Sequence, residues 1–280
     1  MREIHTGLIT EAVKEMCIEA NHVLARDMEQ VFNLAVKEEE SPLGRQVLGQ
    51  LKENLKIAAE DMIPICQDTG MAVVFIKVGQ DVHITGGSLT GAVNEGVKRG
   101  YEEGYLRKSV VGDPIQRINT KDNTPAVIHY EIVEGDAVDI TVAPKGFGSE
   151  NMSRVFMLKP ADGLEGVKNA IITAVRDAGP NACPPMVIGV GIGGAFEKWT
   201  QMAKHALTRN IEEKPKIPWV KELEQELLAA INQLGIGPGG LGGRMTALAV
   251  NIETFATHIA GLPVAVNICC HVNRHAHRVL

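Results

Sequence analysis

The chain has 280 residues, of which 45% are hydrophobic and 22% charged, proportions typical of a globular protein and not of a disordered or fibrous one. Its net charge of -6 and its scattered Lys and Arg residues argue against binding to nucleic acid. The apolar stretches near Met186 and Val264 are interrupted well short of the roughly 20 residues that cross a bilayer, and residues 1–10 lack a secretory signal pattern. We therefore expect a cytoplasmic protein without a membrane span.

The N-terminal part, up to about residue 62, is predicted to be helical. Apolar residues recur at helical spacing over residues 8–20 and 28–35, which predicts two amphipathic helices. Ser41 followed by Pro42 is a cap and first-turn signal for a third helix, and an apolar stripe continues to Asp61. Such stripes are typical of helices that pack on a core, so we give them no functional role.

The rest of the chain is predicted to be mixed α and β. The predicted strands are Met71–Val78, Pro125–Val133, Ala137–Ala143 and Met186–Val190, and the predicted helices are Leu89–Gly104, Gly163–Ala178, Phe196–Arg209 and Val220–Leu234. The turn residues at 134–136 predict a hairpin of the second and third strands. The expected fold class is mixed α/β (α+β): N-terminal helices, then a two-lobed α/β unit with short mixed sheets, in a single domain over residues 1–280.

Four of the five cysteines lie in loops or at a strand end. Cys66 lies between the third helix and the first strand, and Cys183 precedes two prolines that cannot extend a helix. Cys269 and Cys270 follow an apolar run and precede a polar terminus. Each cysteine alone is more often a small buried side chain than a ligand, but an odd number of cysteines without a Cys-x-x-Cys pair favours metal or redox chemistry built from distant loops.

A series of motifs is distributed over nearly the whole chain. They are Cys66-Gln67-Asp68-Thr69-Gly70, Arg107–Val111, Asn119–Ala126, Lys145–Asn151, Asn181–Pro185, Ile236–Gly243 and Cys270–His275. Together they resemble the motifs of class I (iron-sulfur) fumarate hydratase alpha subunits, a pattern shared with L-tartrate dehydratase alpha subunits. The resemblance implies a 4Fe-4S cluster held by Cys66, Cys183 and Cys270, and the family spacing favours Cys270 over Cys269.

The resemblance also implies an activity and a partner. It implies the alpha subunit of a two-subunit hydro-lyase that reversibly hydrates fumarate to L-malate, with L-tartrate dehydration as the alternative. Single-chain members of the family continue into a second domain, whereas this chain stops at Leu280. We therefore expect a beta subunit that carries the C-terminal fumarase domain, in an α2β2 assembly. Three thiolates on a 4Fe-4S cluster leave one iron open to act as a Lewis acid on the hydroxyl group of a small dicarboxylic acid.

Four side chains are candidates for catalysis on the strength of the resemblance. Asp68 is the candidate base for the C3 proton, with an aspartate that only forms a turn as its alternative. Gln67 resembles an amide that contacts the substrate, and Arg107 resembles a residue that binds a substrate carboxylate. His258 aligns with a family histidine near the substrate, although a histidine before an apolar run is usually a core residue.

Further polar and glycine-rich segments have two interpretations each. Gly146 and Gly148 suggest a loop whose backbone N–H groups bind the substrate, or a hairpin exit that needs positive φ. Asp122–Thr124 are expected to form a turn and to have no direct chemistry. The segment His271–Arg278, in which His and Arg alternate, is expected to be a solvated basic terminus and not a separate metal site.

Two functions of other classes remain as alternatives. Residues 189–194 match the Gly-x-Gly-x-x-Gly pattern of dinucleotide-binding proteins, with Glu212 and Glu213 about twenty residues further on. An NAD-dependent oxidoreductase would place this pattern in its first βαβ unit and would have a strand before the acidic residue, and the sequence predicts neither. The second alternative is a non-catalytic scaffold subunit. The absorbance of an iron-sulfur cluster separates these alternatives from the hydro-lyase.

Overall fold

The computed structural model describes all 280 residues, and they group into two compact units. The first unit contains residues 1–25, 54–147 and 274–280, and the second contains residues 26–53 and 148–273. Helices and short mixed sheets together confirm the predicted mixed α/β class. The single domain over residues 1–280 stays a prediction. None of the helices combines the length and the apolar composition needed to span a membrane.

The predicted helices and strands are present with small shifts at their ends. In chain order the helices are α1 (Thr6–His22), α2 (Arg26–Glu38), α3 (Pro42–Asp61), α4 (Leu89–Glu103), α5 (Phe147–Glu150), α6 (Gly163–Ala178), α7 (Phe196–Ala206) and α8 (Pro218–Asn232). The strands are β1 (Arg2–His5), β2 (Met71–Gly79), β3 (Val82–Thr85), β4 (Val127–Val133), β5 (Val138–Lys145), β6 (Arg154–Leu158), β7 (Met186–Ile192), β8 (Ala247–Thr254), β9 (Leu262–Cys269) and β10 (Ala276–Val279). Strand β1 lies within the part that the sequence predicts as helical, and it pairs in parallel with β3.

The main sheet of the first unit has the strand order β10-β5-β2-β4. Strand β2 runs parallel to β4 and antiparallel to β5, so the predicted hairpin of β4 and β5 is wrong. The connection between them crosses the end of β2, where Gly79 N donates to Ala137 O at 2.8 Å. A Cβ atom at Gly79 would lie 2.3 Å from the Gly135 carbonyl oxygen, so this crossing requires a glycine.

Helices α1 and α4 cover this sheet and pack closely on each other. A Cβ atom at Gly96 would lie 2.7 Å from Thr10 O, and one at Gly100 would lie 2.8 Å from the Cys17 Cβ. These two glycines of α4 therefore allow the helix backbones to approach. Cys17 is fully buried in the resulting core, and burial raises its pKa to about 12. This thiol is an apolar core group, as the sequence interpretation of an isolated cysteine predicts.

The sheet of the second unit has the strand order β6-β9-β7-β8. Strand β7 is buried along its whole length and runs parallel to β8 and antiparallel to β9. Helices α6 and α8 contribute to the large core on one face, and α7 packs through Trp199, Met202 and Ala203 against Ala265 of β9. This sheet places Cys269 at the end of β9 and so brings the neighbouring Cys270 to the edge of the core.

The Gly-x-Gly-x-x-Gly pattern has a packing role in this unit. Gly189 and Gly191 lie inside β7, where added Cβ atoms would each lie 2.1 Å from a carbonyl oxygen of α7, that of Ala203 or of Trp199. Glu212 and Glu213 follow α7 in a loop and do not end a strand. The glycines therefore allow α7 to pack on the strand, and the structural context of a dinucleotide site is missing.

Candidate functional site

The loop of residues 66–70 in the first unit leads into β2 and has three of the predicted site residues. The buried Thr69 ties it to Arg107, because its Oγ1 accepts a hydrogen bond from Arg107 N at 2.9 Å and donates to Arg107 O at 3.2 Å. The hydroxyl of Tyr101, which is fully buried, lies 2.8 Å from Thr69 O and 2.9 Å from Gly70 O. These bonds place the main chain of Arg107 against the loop.

Asn123 joins the same loop to the segment that follows Arg107. Its Oδ1 accepts hydrogen bonds from Ser109 N at 2.7 Å and Val110 N at 3.2 Å, and its Nδ2 donates to Gly70 O at 3.1 Å. The side chain is fully buried, and its three bonds replace those that water would make. Asn123 fixes the loop and does not merely form a turn.

The Asp68 carboxylate is held by two backbone donors. Its Oδ1 accepts from Gly70 N at 3.0 Å, and its Oδ2 accepts from Phe147 N at 2.8 Å. The first bond is the local turn that the alternative interpretation of Asp68 expects. The second bond connects two distant segments and brings the carboxylate to Gly146. Each carboxylate oxygen has a second lone pair, so Asp68 keeps the capacity to accept a proton.

Two more predicted residues of the first unit present their side chains to solvent. Gln67 is exposed next to Asp68, and Arg107 is exposed although its main chain is fixed. Arg99 differs, because its guanidinium donates to Glu11 and Glu103 at 3.2 Å each. The Arg99 charge is thus partly neutralised within the protein, whereas the exposed Arg107 side chain can reach a ligand.

Gly146 and Gly148 do not have the positive φ that one of their two interpretations, a hairpin exit, requires. Neither residue has positive φ, so the explanation as a hairpin exit that requires positive φ is wrong. Between them, the Phe147 N–H is bonded to Asp68 and is not available to a substrate. A Cβ atom at Gly146 would lie 3.1 Å from Asp68 Oδ2, whereas one at Gly148 would have no atom within 4 Å. Gly146 therefore provides space beside the Asp68 carboxylate.

In the second unit the segments of Cys183 and Cys270 come together. The Cys183 carbonyl oxygen lies 3.4 Å from the backbone nitrogen of His271 and 3.1 Å from its Nδ1. Cys183 is exposed, with φ of 52°, directly after a short 3-10 helix. The hydrogen bond with Cys269 and burial both raise the pKa of the Cys270 thiol. The Cys269 side chain is buried, and its Sγ is 3.9 Å from Val272 O.

A glycine-rich loop, residues 236–243, supports the Cys183 loop. Gly239 N donates to Pro184 O at 2.8 Å, and a Cβ atom at Gly240 would lie 2.2 Å from the Pro180 Cβ. The backbones of the two loops therefore approach at positions where only glycine fits. This explains the run of glycines by packing in the second unit.

The buried Glu39 carboxylate anchors the end of the glycine-rich loop. Its Oε1 accepts from Ser41 N at 2.8 Å and Arg244 N at 2.9 Å, and its Oε2 accepts from Met245 N at 2.7 Å. Burial alone would raise the pKa of Glu39, but the bonds from these backbone N–H groups outweigh it and lower the pKa below its usual value. Glu39 therefore remains ionised where it is buried.

His258 lies in the second unit on an exposed segment that follows β8. Its Nδ1 accepts from Ala260 N at 3.2 Å, and it borders an apolar pocket of about 370 Å³ together with Leu164, Trp219 and Leu262. The alternative interpretation of His258 as a core residue is wrong, because the side chain is exposed.

The cysteines offer a donor set with the chemistry of an iron-sulfur ligand set. None of the five forms a disulfide. Cys66 is a partly exposed residue of the first unit, and Cys183 and Cys270 belong to the second. Thiolates are the ligands that iron-sulfur clusters use, so each of these three side chains has the chemistry of such a ligand. No group of three or more His, Cys, Asp or Glu side chains is arranged around a single metal ion.

Some residues that hold the site-bearing loops have no role in the sequence prediction. They are Glu39, Tyr101, Asn123 and Arg274. The expectation of a solvated basic terminus is wrong for Arg274, which is only 4% exposed, whereas Arg278 makes a surface ion pair with Glu19. The only sequence signal for Arg274 was its position in the same motif as Cys270, Cys270–His275. Asn123 likewise lies in one of the motifs, Asn119–Ala126. The sequence around Glu39 does not indicate that this residue is buried.

Comparisons with known proteins place this chain among related sequences. The family model described as Fumarate hydratase (Fumerase) matches residues 10–279. The putative L(+)-tartrate dehydratase subunit alpha of Methanocaldococcus jannaschii is 41% identical over 274 residues, which cover 96% of each chain. The L(+)-tartrate dehydratase subunit alpha of Escherichia coli strain K12 is 32% identical over 240 residues, which cover 84% of this chain and 78% of that one.

Proposed function

Because the chain belongs to the fumarate hydratase (Fumerase) family, we propose that it is the alpha subunit of a hydro-lyase acting on a four-carbon dicarboxylic acid. The dehydratase names of its relatives support this reaction class. The observation that carries the proposal is the loop of residues 66–70, which is bonded to Arg107 through Thr69 and to Phe147 through Asp68. One network in the first unit thus holds the Asp68 carboxylate and the main-chain segments that carry Gln67 and Arg107.

Three thiols would hold a 4Fe-4S cluster in this proposal, those of Cys66, Cys183 and Cys270. When bound, such a cluster supplies an iron with an open position, a Lewis acid for the substrate hydroxyl. Contact between the segments of Cys183 and Cys270 supports their pairing as ligands. The choice of Cys270 over Cys269 rests on the spacing of the motif; burial does not separate the two thiols, because it also raises the pKa of Cys270.

The side chains of the first unit would bind the substrate and move the proton. Arg107 would donate to one substrate carboxylate through its guanidinium fork, and Gln67 would donate its amide N–H groups. Asp68 would take the C3 proton as hydroxide leaves C2, and it would return that proton to C3 during hydration. Gly146 would leave room for the substrate beside Asp68, and Gly148 and His258 stay candidates for further contacts.

Two substrates are compatible with the proposal. Fumarate, which is hydrated to L-malate, is favoured by the family description, and L(+)-tartrate is favoured by the names of the relatives. The two acids that lose water differ by one hydroxyl group at C3. A binding site that hydrogen-bonds this hydroxyl discriminates strongly against the acid that lacks it, so a substrate panel gives a clear answer.

We further propose a partner. The relatives carry the name subunit alpha, which supports a partner subunit. We propose that this beta subunit carries the C-terminal fumarase domain and that the assembly is α2β2. The cytoplasm is the proposed compartment, because oxygen-sensitive clusters and reduced thiols persist there.

The experiment is anaerobic co-purification of the chain with its beta subunit, followed by assays on fumarate, L-malate and L(+)-tartrate. We expect a brown complex that is active on fumarate and L-malate or on L(+)-tartrate. Cys66→Ala, Cys183→Ala and Cys270→Ala should each abolish the cluster absorbance and the activity, and Cys269→Ala is the matched control that should keep both. A colourless complex contradicts the cluster and supports the scaffold alternative, and a brown complex without activity on any of these acids indicates another hydroxy acid as the substrate.

A further inference from the structure

Arg274 is a buried arginine of the first unit with an unusual set of partners. Its side chain reaches Pro144 O through Nε at 3.2 Å and Asp68 O through Nη2 at 2.5 Å. Its Nη1 is buried without a hydrogen-bond partner, and the whole residue is only 4% exposed. A guanidinium with one unsatisfied nitrogen is thus bonded to the main chain of Asp68, the candidate base.

Neither hydrogen-bond partner of the buried guanidinium carries a charge. Both acceptors are neutral main-chain carbonyl groups. Transfer of an ionised group from water into the protein interior costs roughly several kcal/mol when no counter-charge accompanies it. Arg209 of the second unit shows the usual solution, because it pairs with the Glu224 carboxylate at 2.7 Å. An unfavourable buried group of this kind is expected at a functional site more than in an ordinary core.

The two carbonyl groups belong to the two segments that form the site. One is the carbonyl of Asp68 itself, and the other is that of Pro144, two residues before Gly146. The Asp68 carboxylate in turn accepts from Phe147 N at 2.8 Å. The contacts therefore close a ring: Arg274 joins both segments at the main chain, and Asp68 joins them again through its side chain.

We propose that Arg274 is a positioning residue that fixes Asp68 relative to Gly146. The planar guanidinium holds Nε and Nη2 at a fixed separation and angle, so it sets the distance between the two carbonyl groups that it bonds. A lysine ammonium keeps the charge but offers a single point on a flexible stem, and it cannot impose that geometry. The geometry of the fork, and not only the charge, is therefore required.

The first test is amide hydrogen exchange of the full chain, with Arg274→Lys and Arg274→Gln compared with the wild type. The reporters are Gly70 N and Phe147 N, which donate to the Asp68 carboxylate. We expect both variants to exchange at least about tenfold faster at these amides, because the ring of contacts is opened, with no change at the strand amide of Val74. Arg278→Gln is the control, since Arg278 pairs with Glu19 on the surface.

The second test is kinetic and rests on the proposed function. In the complex with the beta subunit, both Arg274 variants should lower kcat at least about tenfold and change KM by less than about threefold, because a displaced base slows chemistry more than binding. If Arg274→Lys keeps the exchange rates and the kcat of the wild type, the guanidinium fork is not required. If both variants keep them, Arg274 has no positioning role. If the wild type itself has no hydro-lyase activity, the proposed function fails, and the exchange rates still decide the role of Arg274.

Discussion

At the scale of single residues, the site depends on the space that Gly146 leaves beside the Asp68 carboxylate. The Asp68 carboxylate is bonded to Gly70 N and Phe147 N, so it has little freedom to move away from a new neighbour. A Cβ atom at Gly146 would lie 3.1 Å from its Oδ2, which is closer than an ordinary van der Waals contact. The absence of a side chain at this one position therefore determines where the candidate base can lie.

Gly146→Ala should reduce activity without unfolding the protein. The carboxylate has to shift by a few tenths of an ångström, and because a misplacement of about 1 Å costs about 10²-fold in rate, we expect kcat to fall up to about tenfold. Because Gly146 does not have positive φ, the alanine adds no backbone strain, and Tm should change little. Steady-state kinetics and a thermal melt measure the two effects.

Gly148→Ala is the matched control for that experiment. A Cβ atom at Gly148 has no atom within 4 Å, and the residue does not have positive φ. Both variants add one methyl group to the same short segment, so a general effect of the segment would appear in both. Equal losses of kcat in Gly146→Ala and Gly148→Ala would contradict the contact with Asp68.

Arg107→Gln should weaken substrate binding. The exposed guanidinium is proposed to bind a substrate carboxylate, and loss of a charged hydrogen-bonding partner costs about 1.5–3 kcal/mol, which corresponds to an increase in KM of about 10- to 100-fold. Arg99→Gln is the control, because Arg99 is already bonded to Glu11 and Glu103. An Arg107→Gln enzyme with the KM of the wild type would remove Arg107 from the substrate site.

At the scale of elements, one buried carboxylate supports a whole loop. Glu39 follows α2 and binds the backbone at Arg244 and Met245, where the glycine-rich loop ends. That loop in turn contacts Pro184 of the Cys183 loop. The position of Cys183 therefore depends on a residue that is remote in sequence and has no chemistry of its own.

Glu39→Gln should destabilise the protein at neutral pH by about 1–3 kcal/mol, because an amide replaces a carboxylate that accepts three backbone N–H bonds. The folded pKa of Glu39 is lowered, so its contribution is complete above the unfolded pKa of about 4.3 and is lost as the pH falls through the folded value. Urea unfolding of the wild type and the variant should therefore give a difference in stability at pH 7 that shrinks below about pH 4.

Glu40→Gln provides the comparison. Glu40 is an exposed neighbour whose carboxylate pairs with the Arg244 side chain at 2.9 Å, and surface pairs contribute only about 0–1 kcal/mol. We expect stability close to that of the wild type at every pH. If the two variants lose the same stability, the buried bonds of Glu39 do not carry the effect.

The helices could be predicted because their signals are local, and the hairpin could not. The apolar stripes of α1, α2 and α3 and the cap signal at Pro42 lie within each segment. The turn residues at 134–136 are also local, but β5 pairs with β2 and β10, which are distant in sequence, and not with β4. Pairing depends on which surfaces meet, and turn chemistry alone does not contain that information.

The candidate site was predictable to a similar degree. Asp68, Gln67 and Arg107 were candidates because their motifs resemble those of the fumarate hydratase family. Tyr101, Asn123 and Arg274 act by donating hydrogen bonds to main-chain oxygens. Every residue has a main-chain oxygen, so the sequence does not identify the partner. Sequence patterns identify groups that react or bind more readily than the buried groups that orient them, because the latter depend on tertiary contacts.

At the scale of the whole molecule, removal of the proposed cluster should lower thermal stability. A group that binds only the native state stabilises it by mass action, so we expect Tm to fall by about 5 °C or more when the anaerobic protein is stripped by oxygen and a chelator. Calorimetry measures the shift, and the loss of cluster absorbance measures the stripping. Cys269→Ala should show the same shift, whereas Cys270→Ala should show none; a cluster-loaded wild type that melts like the stripped protein contradicts the prediction.

The position of Arg274 in the chain has a consequence for synthesis. A ribosome makes Asp68 and Pro144 long before it makes Arg274, although Arg274 bonds the carbonyl groups of both. During translation the contact that joins the main chains of the two segments forms only after Arg274 has been made. We therefore expect a chain that stops before residue 274 to leave the Asp68 loop without this support.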